Sequence, residues 1–211
     1  MCSIISLNKG GIQLHIALMA SSGGSGKDTV ADMLINLGAV DVKISLGQGI
    51  HHICDTLARE PYGRHELQAV GEHMRNVFGE MTWIDYTDDI IKDKYADKSV
   101  VIPDVRKLLE FAHYCVERDY KPLYIKTNTS VAKQRLNQRD GGYKQIDLDN
   151  SIEHQLDFLE KLPSERVFKN SKLRKIVGSG VFDNVYIVDN NGTLDDLKAQ
   201  IESWYKLHHD K

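Results

Sequence analysis

Apolar and polar residues follow one another along the chain in blocks that predict strands and helices in turn. Residues 12–20 form an apolar run of strand length, and residues 27–37 place apolar side chains at the i, i+3, i+4 and i+7 positions of one helical face. Four more strands are predicted, at residues 40–46, 99–105, 122–128 and 184–190. This alternation is typical of an α/β fold in which helices cover both faces of a mainly parallel sheet.

Helical patterns fill most of the remaining sequence. The longest covers residues 49–95, is polar, and is broken near residues 60–63, where a proline and a glycine occur. Shorter helices are predicted at 108–118, 130–139, 150–160 and 194–207. Ser130 and Thr193 are the expected N-caps of two of these helices. Since no linker-like stretch interrupts the pattern, we expect residues 1–211 to form a single domain.

The charge balance narrows the range of functions. Lys and Arg total 27 and Asp and Glu total 30, so the formal net charge is −3. This excludes a strongly basic nucleic-acid coat, and we expect no nucleic-acid polymer as a partner. Hydrophobic residues make up 41% of the chain, which is ordinary for a folded globular protein and argues against intrinsic disorder.

The cysteines and the apolar runs indicate the compartment. Cys2, Cys54 and Cys115 are widely spaced and form no CxxC pair, so neither a disulfide framework nor a zinc site is expected. No apolar run reaches the roughly 18 to 20 residues of a membrane span, and no signal-peptide pattern is seen. We therefore expect a cytoplasmic protein that does not act on membranes. The sequence leaves its oligomeric state open, a homodimer included.

The most informative segment lies between the first strand and the first helix and reads SSGGSGKDT, residues 21–29. Its glycines allow the backbone to curl so that successive N–H groups point into one concavity, and the helix N-terminus adds partial positive charge there. Lys27 supplies a mobile full charge. The segment predicts a phosphate-binding loop for ATP. Its candidate ligands are Gly23, Gly24, Ser25, Gly26, Lys27, Asp28 and Thr29.

Two positions depart from the usual GxxxxGK[ST] pattern. Ser21 stands where the first glycine is expected, and Asp28 stands where a hydroxyl usually meets Mg²⁺. The Asp28 carboxylate could bind the ion through water, or Thr29 could offer its hydroxyl to a phosphate. The alternative is a flexible turn that happens to precede a lysine.

The GSGKDT form of the loop is similar to that of the bacterial and phage deoxynucleoside monophosphate kinases, a branch of the P-loop nucleotide kinases. Three further segments resemble the same family, namely HELQAVGEHMRNVFGEMTWIDY (65–86), VVIPDVRKLLE (100–110) and VDNNGTLDDLKAQI (188–201). The resemblance implies a three-layer α/β/α fold with a mainly parallel central sheet, ATP and Mg²⁺ as cofactors, and a small phosphorylated acceptor. Animal-type phosphomevalonate kinase also looks similar around a GKD loop.

Acceptor ligands are expected from two places. Arg75 and Gln68 lie in the helical stretch 49–95, where nucleotide kinases bind the acceptor; the resemblance implies a phosphate contact for Arg75 and a base or sugar contact for Gln68. Asp104 and Arg106 lie at the carboxyl end of the strand predicted at 99–105, and ligands bind beyond such strand ends. Asp104 could orient Mg²⁺ through water or hold the acceptor, and Arg106 could pair with an acceptor phosphate. A purely structural Asp–Arg pair is the alternative.

A lid is expected at about residues 133–150. Arg135 and Arg139 are four residues apart and therefore share one helix face, directly before a Gly141–Gly142 hinge. In nucleotide kinases such arginines close over the transferring phosphoryl group. An ordinary solvated helix face is the alternative.

The turn at Asn191 and Gly192 is implied by the resemblance to lie near the adenine of ATP, although a simple turn followed by a helix cap would explain the same residues. Trp83 is expected to pack within the helical stretch 49–95 rather than to bind a ligand.

The sequence thus favours a phosphotransferase that moves the γ-phosphoryl group of ATP to a nucleoside or deoxynucleoside monophosphate, giving the diphosphate and ADP. The same chemistry on another phosphorylated metabolite, of the phosphomevalonate or dephospho-coenzyme A type, is one alternative. A nucleotide-binding regulator without turnover is the other. Residues 161–181 suggest no role.

Overall fold

Five parallel strands form the central sheet of the computed structural model, which describes residues 13–20, 22–140, 155–156, 159 and 184–209. The strands are β1 (Ile16–Met19), β2 (Val42–Lys43), β3 (Val100–Ile102), β4 (Lys121–Lys126) and β5 (Tyr186–Asp189). Their order across the sheet is β2-β3-β1-β4-β5, and every pairing is parallel. The predicted α/β class with a parallel sheet is confirmed.

Helices connect these strands. They are α1 (Lys27–Asn36), α2 (Gln48–Leu57), α3 (Arg64–Phe78), α4 (Thr82–Lys94), α5 (Leu108–Phe111) with a π-helical continuation (Ala112–Glu117), α6 (Thr129–Asp140) and α7 (Leu194–His209). The predicted helical stretch 49–95 is therefore three helices. The helix predicted at 150–160 lies almost entirely outside the described residues. Among the described helices, none combines the length and apolar character that a bilayer crossing needs.

Both faces of the sheet are buried, as the side chains of β1 demonstrate. Ile16 and Leu18 join a cluster on one face that includes Trp204 of α7, whereas Ala17 and Met19 join a second cluster on the other face. All four β1 side chains are fully buried. This explains why the strand reads as a continuous apolar run instead of an alternating one.

The strands are shorter than the sequence predicts. At the start of β1, Nδ1 of the His15 ring accepts a hydrogen bond from the Val100 amide (3.2 Å), in place of a backbone carbonyl. The backbone carbonyl of His15 accepts one from the Lys121 amide (2.8 Å). The predicted run 12–20 is thus reduced to four ladder residues. The strand predicted at 40–46 is also shortened, and only two of its residues belong to β2. One further hydrogen bond to β3 follows, from the Ile44 amide to the Val101 carbonyl.

The two expected helix caps have different outcomes. The expectation for Ser130 was wrong, because α6 begins one residue earlier and the carbonyl of Asn128 accepts its first helical hydrogen bond (3.0 Å). Ser130 therefore lies inside the first turn. The expectation for Thr193 is confirmed: its hydroxyl accepts from the Asp196 amide (3.2 Å), and the Asp196 carboxylate accepts from the Thr193 amide (2.9 Å). This reciprocal pair is a capping box.

Candidate active site

A tight glycine loop joins the end of β1 to the start of α1 at the carboxyl edge of the sheet. Two of its glycines have left-handed backbones, Gly24 with a φ of 77° and Gly26 with a φ of 89°. Gly26 is also the N-cap of α1, and no described side chain caps this helix. The first amides of α1 thus lie next to a loop whose glycine backbone can turn its own amides inward, which is the arrangement that binds anions.

The neighbouring strand ends hold this loop in place. The carbonyl of Ser25, a buried residue, accepts a hydrogen bond from Asn190 Nδ2 (2.8 Å) and another from Thr127 Oγ1 (3.1 Å). Asn190 follows β5 and Thr127 follows β4, and both are buried. Sequence reasoning missed these two residues; the available signal was that each is a polar residue directly after a buried strand.

Lys27 is the first residue of α1, and its side chain reaches back over the loop. Its Nζ lies 3.4 Å from the carbonyl oxygen of Ser22, to which it donates. The side chain is only partly exposed. The positive charge that the sequence predicts for this loop is therefore located at the loop itself.

The two residues after Lys27 are exposed. One Asp28 oxygen lies 3.6 Å from Nζ of Lys43, and the same Nζ donates to Asp32 at 2.7 Å. The hydrogen bond to Asp32 raises the pKa of Lys43, which is therefore a cation at neutral pH. Asp28 thus lies on the outer surface of α1 beside a positive charge. Thr29 lies in the same first turn of α1, with its side chain exposed.

Asp104 joins the ends of β2 and β3. Its carboxylate accepts hydrogen bonds from Ser45 Oγ (2.6 Å), from the Leu46 amide (2.8 Å) and from the Gly47 amide (3.0 Å). Next to it, the Val105 amide donates to a β1 carbonyl (3.2 Å), which keeps this segment beside the glycine loop. Asp104 is consequently fixed at the carboxyl edge, where the sequence placed it.

The Arg75 side chain and the Arg106 backbone contact one buried carboxylate. Glu110 accepts hydrogen bonds from the Arg106 amide (2.8 Å) and the Lys107 amide (2.9 Å), and its other oxygen lies 3.9 Å from an Arg75 guanidinium nitrogen. Arg75 also pairs with Glu72 at 3.3 Å, and 12% of its side chain is exposed. Burial raises the pKa of Glu110, and the two amide hydrogen bonds oppose that shift. This buried carboxylate thus anchors α3 against the segment after β3.

Gln68 and Trp83 lie in the same helical region. Nε2 of Gln68 is buried and has no hydrogen-bond partner among the described residues. Since a buried amide rarely goes without a partner, this group is a candidate for contact with a ligand. Trp83 is buried, and its Nε1 donates to the Gly71 carbonyl at 3.0 Å. The expected packing role of Trp83 is confirmed.

Helix α6 packs directly against the glycine loop. A Cβ on Gly24 would lie 2.5 Å from the Ala132 carbonyl oxygen and 2.9 Å from Leu136 Cγ. Arg135 of this helix donates to Asn190 Oδ1 at 3.4 Å, and its Nη1 is buried without a hydrogen-bond partner in the described part of the chain. The Arg139 side chain and residues 141–150 of the predicted lid lie outside the described residues.

The turn after β5 is explained by local hydrogen bonds. Oδ1 of Asn191 accepts from the Asn128 amide (2.7 Å), and the Asn191 amide donates to Asp189 (2.9 Å). Gly192 lies against Asp196, whose carboxylate forms the capping box of α7. The contact with Asn128 places Asn191 beside the start of α6, directly after the Asn190 that holds the loop.

Comparisons with known proteins support the fold. No protein-family model and no curated protein sequence matches the chain. Among solved structures, a gluconokinase from Sinorhizobium meliloti 1021 superimposes with a TM-score of 0.51 over 94% of this chain and 97% of that one, at 15% identity. Two shikimate kinases, from Acinetobacter baumannii and Bacteroides thetaiotaomicron, give TM-scores of 0.47 and 0.48, each at 15% identity and over 93% of this chain. They cover 94% and 98% of those two chains. The chain thus shares its α/β fold with the gluconokinase.

Proposed function

We propose that the chain is a phosphotransferase that moves the γ-phosphoryl group of ATP to a small-molecule acceptor. The observation that carries this proposal is the glycine loop, with two left-handed glycines, Lys27 over it and an N-terminus of α1 that no described side chain caps. It lies after the central strand of a parallel sheet, where ligands bind in such folds. The gluconokinase with the same fold is named for a small-molecule acceptor, which agrees with this reaction class.

Charge neutralisation is the main task of such a site, because the transferring phosphoryl group spreads negative charge over its oxygens. Loop amides and Lys27 would bind the donor phosphates. Arg135, whose buried Nη1 has no described hydrogen-bond partner, would contribute a second cation from α6, and Arg139 would add a third. Holding donor and acceptor in line would supply the rest of the acceleration.

Mg²⁺ would supply further charge neutralisation on the phosphates. Three hydrogen bonds already occupy most lone-pair directions of the Asp104 carboxylate, so Asp104 would hold the ion through a bound water. Asp28 is the second candidate, although its carboxylate already lies beside the positive charge of Lys43, which would compete with the ion. No cluster of three or more potential ligands forms within the described residues, which suits an ion bound chiefly by substrate phosphates.

For the acceptor we propose a nucleoside or deoxynucleoside monophosphate. The Arg75 guanidinium and the Arg106 backbone amide contact the same Glu110 carboxylate, and the guanidinium groups of these two arginines would suit a phosphate dianion. Gln68 precedes Arg75 by seven residues and so lies near the same face of α3, where its unpartnered Nε2 could meet a base or sugar. The resemblance to deoxynucleoside monophosphate kinases points to the same acceptor class.

An acceptor panel tests this proposal. ADP release from ATP and Mg²⁺ is measured with all common nucleoside and deoxynucleoside monophosphates, with phosphomevalonate and dephospho-coenzyme A, and with gluconate and shikimate. Turnover with one or more monophosphates is the expected result. Turnover with another acceptor only would overturn the nucleotide assignment and keep the kinase. Binding of ATP without turnover on any acceptor would favour a regulator.

Replacement of Arg75 by alanine or lysine should weaken acceptor binding. A charge-assisted contact is worth about 2 kcal/mol, so we expect the KM of the acceptor to rise about thirtyfold while the KM of ATP stays unchanged. Alanine also leaves Glu110 without its cation, whereas lysine retains the charge but cannot bind phosphate with two parallel hydrogen bonds. Steady-state kinetics and thermal melting of both variants separate these effects.

The control is Lys92→Ala, which removes an exposed cation in the last turn of α4. It should change neither KM. An acceptor KM within about threefold of the wild-type value in both Arg75 variants would contradict the assignment of Arg75.

A further inference from the structure

An arginine that the motifs do not single out lies directly against the glycine loop. Arg64 is the first residue of α3, and its helix opens with a hydrogen bond from the Gly63 amide to Glu66 (2.8 Å). A Cβ on Gly23 would lie 3.0 Å from Nη1, 3.6 Å from Nη2 and 3.7 Å from Cζ of Arg64. The three heavy atoms nearest to that position therefore all belong to one guanidinium group.

Through Arg64, helix α3 contacts the glycine loop that would bind the phosphate donor. Arg75 and Gln68 lie on the same helix, so α3 carries both the proposed acceptor ligands and a cation that contacts the loop. At the other end of the loop, Nη1 of Arg135 lies 4.0 Å from where a Cβ of Gly26 would be. One guanidinium thus borders the loop from α3 and another borders it from α6.

A guanidinium at this position has a clear chemical use. It is charged at every relevant pH, and its fork of N–H donors matches two oxygens of a phosphate. Phosphates bind in a loop of this kind next to its successive backbone amides, and Gly23 and Gly24 belong to this loop. A side chain that lies within van der Waals distance of the loop backbone is therefore within reach of the outermost phosphate.

We propose that Arg64 is a catalytic residue that contacts the transferring phosphoryl group from the acceptor side; this inference rests on the proposed function. In that reaction an acceptor oxygen forms a bond to the γ-phosphorus as the bond from the γ-phosphorus to the bridging oxygen of ADP breaks. Arg64 donates hydrogen bonds to the equatorial oxygens of the transferring phosphoryl group. Its charge is needed most in the transition state, so its loss lowers kcat more than it raises either KM.

The test compares Arg64→Ala and Arg64→Lys with the wild-type chain, using ATP, Mg²⁺ and the best acceptor of the panel. Loss of one preorganised donor costs about a hundredfold in kcat, and we expect this for alanine, with both KM values within about threefold. Lysine should restore only part of the rate, because it lacks the planar fork. The matched control is Arg59→Ala, an exposed arginine just before α3, which should leave kcat unchanged.

Gly23→Ala gives an independent check of the contact. Among the described residues, the three atoms nearest to its added methyl group all belong to the Arg64 guanidinium, so it should displace that group by a few tenths of an ångström. We expect kcat to fall in the wild-type background and to change little further in the Arg64→Ala background, because the two changes act on one contact.

The outcomes separate this inference from the proposed function. A wild-type chain that releases no ADP with any acceptor would overturn both. An active wild type with an Arg64→Ala kcat within about threefold would overturn the role of Arg64 and leave the kinase intact. Equal effects of Gly23→Ala in the two backgrounds would also overturn it. A large fall in melting temperature together with both KM values raised would show a structural role instead.

Discussion

Replacing Lys27 with alanine should lower kcat for phosphoryl transfer by about a thousandfold while the fold remains intact. The lysine brings a full positive charge to the loop, and its described hydrogen bond to the Ser22 carbonyl is long, at 3.4 Å. No other residue of the loop carries a positive charge, so within the loop only the backbone amides would remain to neutralise the donor phosphates. Alanine is a good residue for the first turn of a helix, so α1 should form normally.

Steady-state kinetics and thermal melting measure this effect. The control is Lys198→Ala, which removes an exposed lysine of α7 that pairs with Glu202 at 3.8 Å. Both variants should melt within about 2 °C of the wild-type chain, because both lysines are at least partly exposed and substitutions outside the core cost little. A Lys27→Ala variant with more than about a tenth of the wild-type kcat would contradict the role assigned to this residue.

Replacing Gly24 with alanine should lower kcat/KM almost as strongly as Lys27→Ala lowers kcat, for a steric reason. A left-handed backbone costs alanine about 1 to 2 kcal/mol, and overpacking adds about 1 to 3 kcal/mol. The new Cβ would lie 2.5 Å from the carbonyl oxygen of Ala132, a helix backbone atom that cannot rotate away. A total near 4 kcal/mol would lower the population of the native loop, and with it kcat/KM, by about a thousandfold.

Gly38→Ala is the matched control for this prediction. Gly38 also has a positive φ, of 70°, but a Cβ there would meet no atom of the described residues within 4 Å. It should therefore lower stability by about 1 to 2 kcal/mol through its backbone alone and leave kcat/KM unchanged. Equal kcat/KM values for the two variants would show that contact with α6 does not shape the loop.

Local signals explain what the sequence could predict about the fold. The predicted helix at 27–37 agrees closely with α1, because its apolar spacing is regular and Gly38 ends it. The cap at Thr193 was predictable because its partner is only three residues away. The π-helical segment was not predictable, since one extra residue per turn leaves no mark in the pattern of a short helix.

The candidate site also has parts that the sequence could predict and parts that it could not. Its glycine loop is a continuous stretch of sequence, so residues 21–29 could be recognised together. The contacts that position the loop are far apart in sequence: Thr127 meets Ser25 across 102 residues, and Asn190 does so across 165. Arg64 also reaches Gly23 only through the packing of α3. Such pairings depend on strand order, which no single segment encodes.

The central claim is that the glycine loop binds the polyphosphate of ATP, and a crystal structure with a non-hydrolysable ATP analogue and Mg²⁺ tests it most directly. We predict that the outer phosphates lie within hydrogen-bonding distance of the backbone amides from Gly24 to Lys27, with Nζ of Lys27 beside them. A loop that stays empty at millimolar analogue, or an analogue bound elsewhere on the chain, would contradict the account.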